Sequence, residues 1–226
     1  MILAVIPARG GSKRLPGKNI ASFGGRPLLA WSVALANRLD RVVRCVVSTE
    51  EPAIAAVAHK AGAEVVDRPV ELAGDDSSIT AVLVHAAEAV RRDGLEFQGV
   101  MLLQPTNPLR PVDAINRAIS RFLDEPCDSL ITVSRRRLKF GRIADGAFVP
   151  DYVPDTQSRQ TPPVFYENGL LYITKTATLL DRHSVYGSRT LAFESERPFD
   201  EVDIDEQVDL EIGEAILGVV RNRLGY

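Results

Sequence analysis

The chain has 226 residues, 45% of them hydrophobic, enough for one sizeable core and one domain. Its net charge of −3 excludes the broad basic footprint of a nucleic-acid-binding protein. The two cysteines, Cys45 and Cys127, lie in or near apolar runs; they are expected as reduced core residues rather than a disulfide or metal framework.

The N-terminal stretch is strand-like and lacks the charged region and cleavage pattern of a secretory leader. No apolar run reaches membrane-spanning length, so a soluble, cytoplasmic protein is expected. Short β-branched runs then alternate with longer helix-period segments. Strands are predicted at 2–6, 42–47, 64–66, 100–103 and 129–133, and helices at 27–37, 52–61, 79–92 and 112–123. Pro27 and Pro52 suit first-turn positions and Ser78 a cap, while His85 inside the third helix reads as a half-buried structural residue. Strand, crossover helix, strand predicts an α/β fold: a Rossmann-like, mostly parallel sheet with helices on both faces.

The alternation breaks after Val133. Residues 134–168 are basic at first, then rich in Pro, Gly, Asp and Gln, and read as an insertion serving as a lid or an interface. Within it, 142–149 has the pattern of a hairpin turning at Asp145–Gly146. Strands resume at 169–173, 184–194 and 201–205, and a last amphipathic helix is predicted from about 206 to 217. The expectation is a single domain over 1–226 with an inserted segment at about 134–168.

The loop after the first strand carries the most chemistry. From Arg9 to Asn19 it holds four cations (Arg9, Lys13, Arg14, Lys18), three glycines and no acid. It lies at the carboxyl end of a strand, where open α/β sheets bind ligands. Glycines let backbone N–H groups approach a phosphate, and the cations match the charge of a nucleoside triphosphate. A P-loop would need glycine at position 12 and a hydroxyl at 19, where Ser12 and Asn19 stand; G-x-G-x-x-G is absent too.

Near the end, "VDID" sets Asp203 and Asp205 on one face of an extended segment and Val202 and Ile204 on the other. Such a pair suits Mg²⁺; equally, Asp205 could cap a helix starting at Glu206. "GDDSS" at 74–78 has the look of a helix cap. Gln104 is the first polar side chain after an apolar run, and Arg110 could bind an anion or pair at the surface.

"IPARGGSKRLPGKN" (6–19) closely resembles the first motif of the acylneuraminate-type cytidylyltransferases, which activate nine-carbon acidic sugars such as N-acetylneuraminate, legionaminate and pseudaminate. "DRPVELAGDDSSI" (67–79), "LLQPTNPLR" (102–110, with Asn107 where serine is usual), "YENGLLYI" (166–173) and "VDIDE" (202–206) are similar to the later segments, in order. The resemblance implies a nucleotide-diphospho-sugar transferase type of sheet, CTP and an acidic keto-sugar as substrates, Mg²⁺ or Mn²⁺, and a homodimer. From the charge and the lack of a long apolar run, no nucleic-acid or membrane partner is expected. By the same resemblance, Ala8, Arg9, Gly10, Ser12, Lys13, Lys18, Asn19, Arg68 and Ser77 (or Ser78) hold the nucleotide. Gln104, Tyr166 and Asn168 face the sugar, and Tyr172 shapes its pocket or packs in the core. Lys139 and Arg159 reach a partner's site from the inserted arm. Asp203 and Asp205 hold the metal, and Arg9, Lys18 and Asp205 form the catalytic set. An octulosonate (eight-carbon) cytidylyltransferase usually lacks the "SK" and "KN" pairs found at 12–13 and 18–19. A GT-A glycosyltransferase carries its D-x-D nearer mid-chain. A non-catalytic relative would be favoured by loss of Lys18 or either aspartate, and all three are present.

Overall fold

The apolar run Ile2–Pro7 (β1) forms a buried central strand in the computed structural model, which describes residues 1–226. A small hairpin, β2 (Ser22–Phe23) and β3 (Arg26–Pro27), precedes α1 (Leu28–Ala36), β4 (Val42–Thr49), α2 (Pro52–Ala61) and β5 (Glu64–Asp67). Then come α3 (Ile79–Arg92), β6 (Gly99–Leu102), α4 (Val112–Asp124) and β7 (Ser129–Arg136). The hairpin β8 (Gly141–Ala144) and β9 (Ala147–Pro150) is followed by β10 (Val164–Lys175), α5 (Thr176–Arg182), β11 (Thr190–Glu194) and α6 (Gln207–Val220). The seven-stranded sheet has the order β11-β7-β10-β6-β1-β4-β5. Only β10 runs antiparallel to its neighbours, β6 and β7, so the sheet is the mostly parallel one expected.

Local chemistry sets the helix ends. Pro52 opens α2 and Gly62, at φ +89°, closes it, while Ser78 Oγ accepts a hydrogen bond from Thr80 N at 3.2 Å to start α3. One face of the sheet packs Leu29, Val33, Ile54, Ile115 and Phe122 from α1, α2 and α4. The other packs Leu83, Val90 and Leu179 from α3 and α5. A third cluster joins Trp31 to Phe199, Ile204 and Leu210, fastening α6 beside α1. Both cysteines are free and buried.

The 142–149 hairpin turns where expected, with Asp145 and Gly146 at φ +49° and +77°, the backbone of a type I′ turn. Three expectations need correction. The strand over 184–194 is confined to Thr190–Glu194: upstream, Tyr186 N donates to Ser184 Oγ and Arg189 N to Asp128 Oδ2, which fixes a loop instead. Residues 201–205 make no ladder; a 3₁₀ turn at Phe199–Glu201 leads to an extended segment held by Ile204 N donating to Thr106 O at 2.8 Å. Arg110 neither pairs at the surface nor meets an anion. It is fully buried, and its guanidinium donates to Leu170 O, Ser32 Oγ (3.1 Å) and Gln104 O (2.7 Å). Three acceptors make its burial tolerable and tie β10 to the loop after β6.

Candidate functional site

At the carboxyl ends of β1, β5 and β6, the loops 8–17, 68–78 and 104–110 enclose a cleft of about 460 Å³, within the usual range for small-ligand sites. The first loop leaves β1 without regular structure and turns at Gly17, whose φ of +69° glycine adopts without strain, into the single 3₁₀ turn Lys18–Ile20. Asn19, nearly buried, donates from Nδ2 to Arg9 O at 2.9 Å and so closes the loop, bringing Lys18 opposite Arg9.

Every cation of that loop meets a carboxylate. Arg9 Nη2 lies 2.8 Å from Asp75 Oδ1, and Lys13 Nζ pairs with the other oxygen of Asp75. Lys18 Nζ lies 2.8 Å from Asp205 Oδ1, and Arg14 Nη2 lies 2.5 Å from Asp205 Oδ2. Hydrogen bonds from Lys13 and Arg9 hold the Asp75 carboxyl below its ordinary range. At Asp205 burial pulls upward, but Lys18 and Arg14 outweigh it and the net shift is downward. The Asp203 carboxyl is raised, chiefly by burial, against a hydrogen bond with Thr106. Val202 and Ile204 are buried, so the two carboxylates do share the outward face. Glu206 and Asp209 cap α6 as a reciprocal box, which leaves the Asp205 side chain clear of capping.

The cleft gathers Arg9, Ser12, Lys13, Lys18, Asn19, Arg68, Ser77, Gln104 and Asp205 of the residues expected there. Arg68 is buried, donating to Ser48 Oγ at 3.2 Å and Ser48 O at 2.6 Å, beside the first loop. Ser77 Oγ donates to Glu71 O at 3.1 Å, and Ser78 is the cap of α3. Other expected residues stand apart from the cleft. Ala8 is buried in the core with its N–H donating to Ser48 O, and Gly10 N donates to Glu50 Oε1 at 2.7 Å. Asn168 donates to Ser134 Oγ and Ser195 Oγ while its own Oδ1 accepts from Leu170 N, so its amide braces β10. Tyr166 lies under the Arg136 guanidinium and Lys139 over the Tyr152 ring, and Arg159 sits exposed in the 3₁₀ turn Ser158–Gln160 of the insertion.

Sequence reasoning missed Asp75, Glu50 and Thr106 as members of the site. Glu50 reaches under the first loop, with Oε2 buried and 4.0 Å from Arg68 Nη1. Asp75 pairs with both Arg9 and Lys13 and would compete with any phosphate for those two cations. Asp75→Asn should therefore tighten metal-free binding of a nucleoside triphosphate about threefold or more, measured by calorimetry. Unchanged or weaker binding would show that Asp75 does not compete for those cations.

No group of three or more His, Cys, Asp or Glu is placed to hold a metal ion; Asp203 and Asp205 offer two carboxylates, of which Asp205 lines the cleft. That donor set fits Mg²⁺, which takes few carboxylates and completes its shell with water and substrate phosphates.

A family model described as Cytidylyltransferase matches residues 3–217. The chain is 33% identical to the CMP-N,N'-diacetyllegionaminic acid synthase of Legionella pneumophila, over 96% of each chain. It is 28% identical to the pseudaminic acid cytidylyltransferase of Campylobacter jejuni, also over 96% of each. It is 29% identical to the N-acylneuraminate cytidylyltransferase of Escherichia coli, spanning 93% of this chain and 51% of that one. Among solved structures, CMP:2-keto-3-deoxy-manno-octonic acid synthetase complexed with CTP shares the fold at a TM-score of 0.68 and 18% identity, covering 96% of this chain and 98% of that one. A 4-diphosphocytidyl-2C-methyl-D-erythritol synthase from Anaerococcus prevotii does so at 0.70 and 13%, covering 96% of each.

Proposed function

The chain belongs to the cytidylyltransferase family, and on that premise we propose that it transfers CMP from CTP to a nine-carbon 2-keto acid sugar, releasing pyrophosphate. The observation that carries the reading is the convergence of all four first-loop cations on one cleft beside Asp205. The names of the relatives support the acceptor class.

In this reading the anomeric hydroxyl of the sugar attacks the α-phosphorus. A bond forms from that oxygen to phosphorus, the bond to the β-phosphate oxygen breaks, and the hydroxyl proton is lost to solvent. No covalent enzyme intermediate is needed, because such transfer depends on positioning and charge neutralisation. Arg9, Lys13 and Lys18 hold the triphosphate, with Asp75 released from the first two. Arg68 and Ser77 take the base and ribose, Gln104 faces the acceptor, and Asp203 and Asp205 hold a divalent cation. A cation held there would supply positive charge at the phosphate oxygens and would favour ionisation of the attacking hydroxyl.

The insertion at about 134–168 is proposed as a dimer arm. Exposed Phe140, Ile143, Phe148 and Val153 give it an apolar surface that a second copy would cover, a proposal that the mass in solution tests. No helix is long and apolar enough to cross a membrane.

The direct test is a pyrophosphate-release matrix of four nucleoside triphosphates against N-acetylneuraminate, N,N'-diacetyllegionaminate, pseudaminate and an eight-carbon keto acid, with and without Mg²⁺. Release is expected with CTP, Mg²⁺ and a nine-carbon acid. Release with the eight-carbon acid alone, or with none, would overturn the reading.

A further inference from the structure

A carboxylate outside the nucleotide cleft has been set up for a ligand. Glu167, exposed on β10, accepts from two phenols on the same oxygen: Tyr172 Oη at 3.1 Å and Tyr186 Oη at 2.5 Å from Oε2. Those are the only hydrogen bonds that its carboxylate makes, so Oε1 stays open. Two neutral donors fix the orientation of the group without cancelling its charge. Burial and the Glu167 charge push both phenols above their ordinary value, Tyr186 to about 12, so they remain donors at neutral pH.

Its place in the fold gives the cluster a purpose. Tyr172 pairs with Leu102 of β6, and because β10 is antiparallel to β6, residues before Tyr172 lie toward and beyond the carboxyl end of β6. Gln104, two residues past Leu102, lines the nucleotide cleft and donates to Gly169 O at 3.5 Å. Gly169 is required there: its φ is +75°, and an added Cβ would meet Asn107 Oδ1 at 2.9 Å. Tyr172 and Val185 pack against the α3 and α5 layer, and the first turns of α3, at Ile79 and Val82, line the cleft. The Glu167 cluster therefore occupies the same edge and the same face of the sheet as the nucleotide, one strand further along.

We propose that Glu167, aimed by Tyr172 and Tyr186, is a specificity residue that accepts a hydrogen bond from a hydroxyl or amide N–H on the acceptor sugar. This rests on the reading that the chain transfers CMP to an acidic sugar. A fixed carboxylate repels the acceptor's own carboxylate and attracts donors. It therefore turns the acid end toward the cationic first loop and the donor-bearing substituents toward β10. An acceptor lacking a donor at that end leaves Oε1 desolvated and unpaired, which is where discrimination arises.

The test is calorimetric binding of N-acetylneuraminate, N,N'-diacetyllegionaminate and pseudaminate to the full chain, with the nucleotide site filled by a CTP analogue bearing a methylene α–β bridge. E167A should weaken binding of the preferred acid about tenfold and leave affinity for the analogue within about twofold. E167Q, whose single oxygen would stay on the two phenols and whose NH2 would stand where Oε1 was, should not recover the loss, and Y186F should weaken binding about threefold. A Glu167 that merely staples the 183–189 loop would lower the melting temperature of E167A and leave acceptor affinity intact; that result overturns the inference alone. Failure of the wild-type chain to bind any of the three acids overturns it together with the reading beneath it.

Discussion

Lys18→Ala should lower kcat/KM for CTP by about 10²–10³-fold, the usual effect of removing one pre-placed donor from a site of developing negative charge. Four cations share the loop, but they are not equivalent. The Lys18 side chain is 15% exposed, against 80% for Lys13 and 61% for Arg14. A sheltered ammonium acts across a lower effective dielectric and has already lost much of its side-chain freedom. It also lies directly beside Asp205, so in the proposed reaction it would neutralise phosphate charge next to the metal. Lys13→Ala, at the solvent edge, should cost far less. The fold should survive the loss of Lys18, because Arg14 remains on the other oxygen of Asp205 and the loop stays closed by Asn19 on Arg9 O. Steady-state kinetics with CTP varied, beside a thermal melt, checks this. A fall in both kcat and kcat/KM marks an interaction made in the transition state, and a rise in KM alone marks ground-state binding. Near-normal turnover would remove Lys18 from the catalytic set.

The parts of this protein that were legible from sequence are those encoded locally. Pro52 and Ser78 mark helix starts through their own backbone and capping preferences, and the predicted spans of α2 and α3 match the structure. The Asp145–Gly146 turn follows from the ease with which both residues take positive φ. The cationic loop was legible because charge, glycine and strand-end position all lie within one short segment. The antiparallel course of β10 was not, since period-two alternation identifies a strand without giving its direction.

The pairing of Arg9 and Lys13 with Asp75, about 60 residues away, was also hidden: an acidic loop preceding a helix has the composition of an ordinary cap. Arg110 misled for a related reason. A charged residue defaults to the surface, and only the fold brings Leu170 O, Ser32 Oγ and Gln104 O around its guanidinium. The partners of Asn168, Ser134 and Ser195, were hidden too: they lie on either side of it in sequence and meet it only in the folded sheet.

Asp205→Asn should lower kcat/KM by about 10²-fold and move the midpoint of the Mg²⁺ titration at least about tenfold higher. The substitution is nearly isosteric and removes one negative charge; its single oxygen can accept from Lys18 or Arg14, and its NH2 turns a donor toward the other. Asp205 is the carboxylate that stays ionised most firmly, because Lys18 and Arg14 outweigh the opposing effect of burial. Asp203 is the weaker holder of charge: burial raises its carboxyl, so it is the first of the two to protonate as pH falls. In the proposed site, losing Asp205 would leave Asp203 to hold a cation alone. Direct binding of Mn²⁺, followed by electron paramagnetic resonance without nucleotide, separates this from a general loss of activity. Asp205→Asn should bind Mn²⁺ more weakly in proportion to the kinetic shift. If the metal titration and Mn²⁺ binding are both unchanged, Asp205 serves only as the counter-charge of Lys18 and Arg14, and the metal must be held elsewhere. Asp203→Asn gives the complementary result: a smaller change at neutral pH, growing less distinguishable from the wild type on acidification as the native Asp203 takes up its own proton.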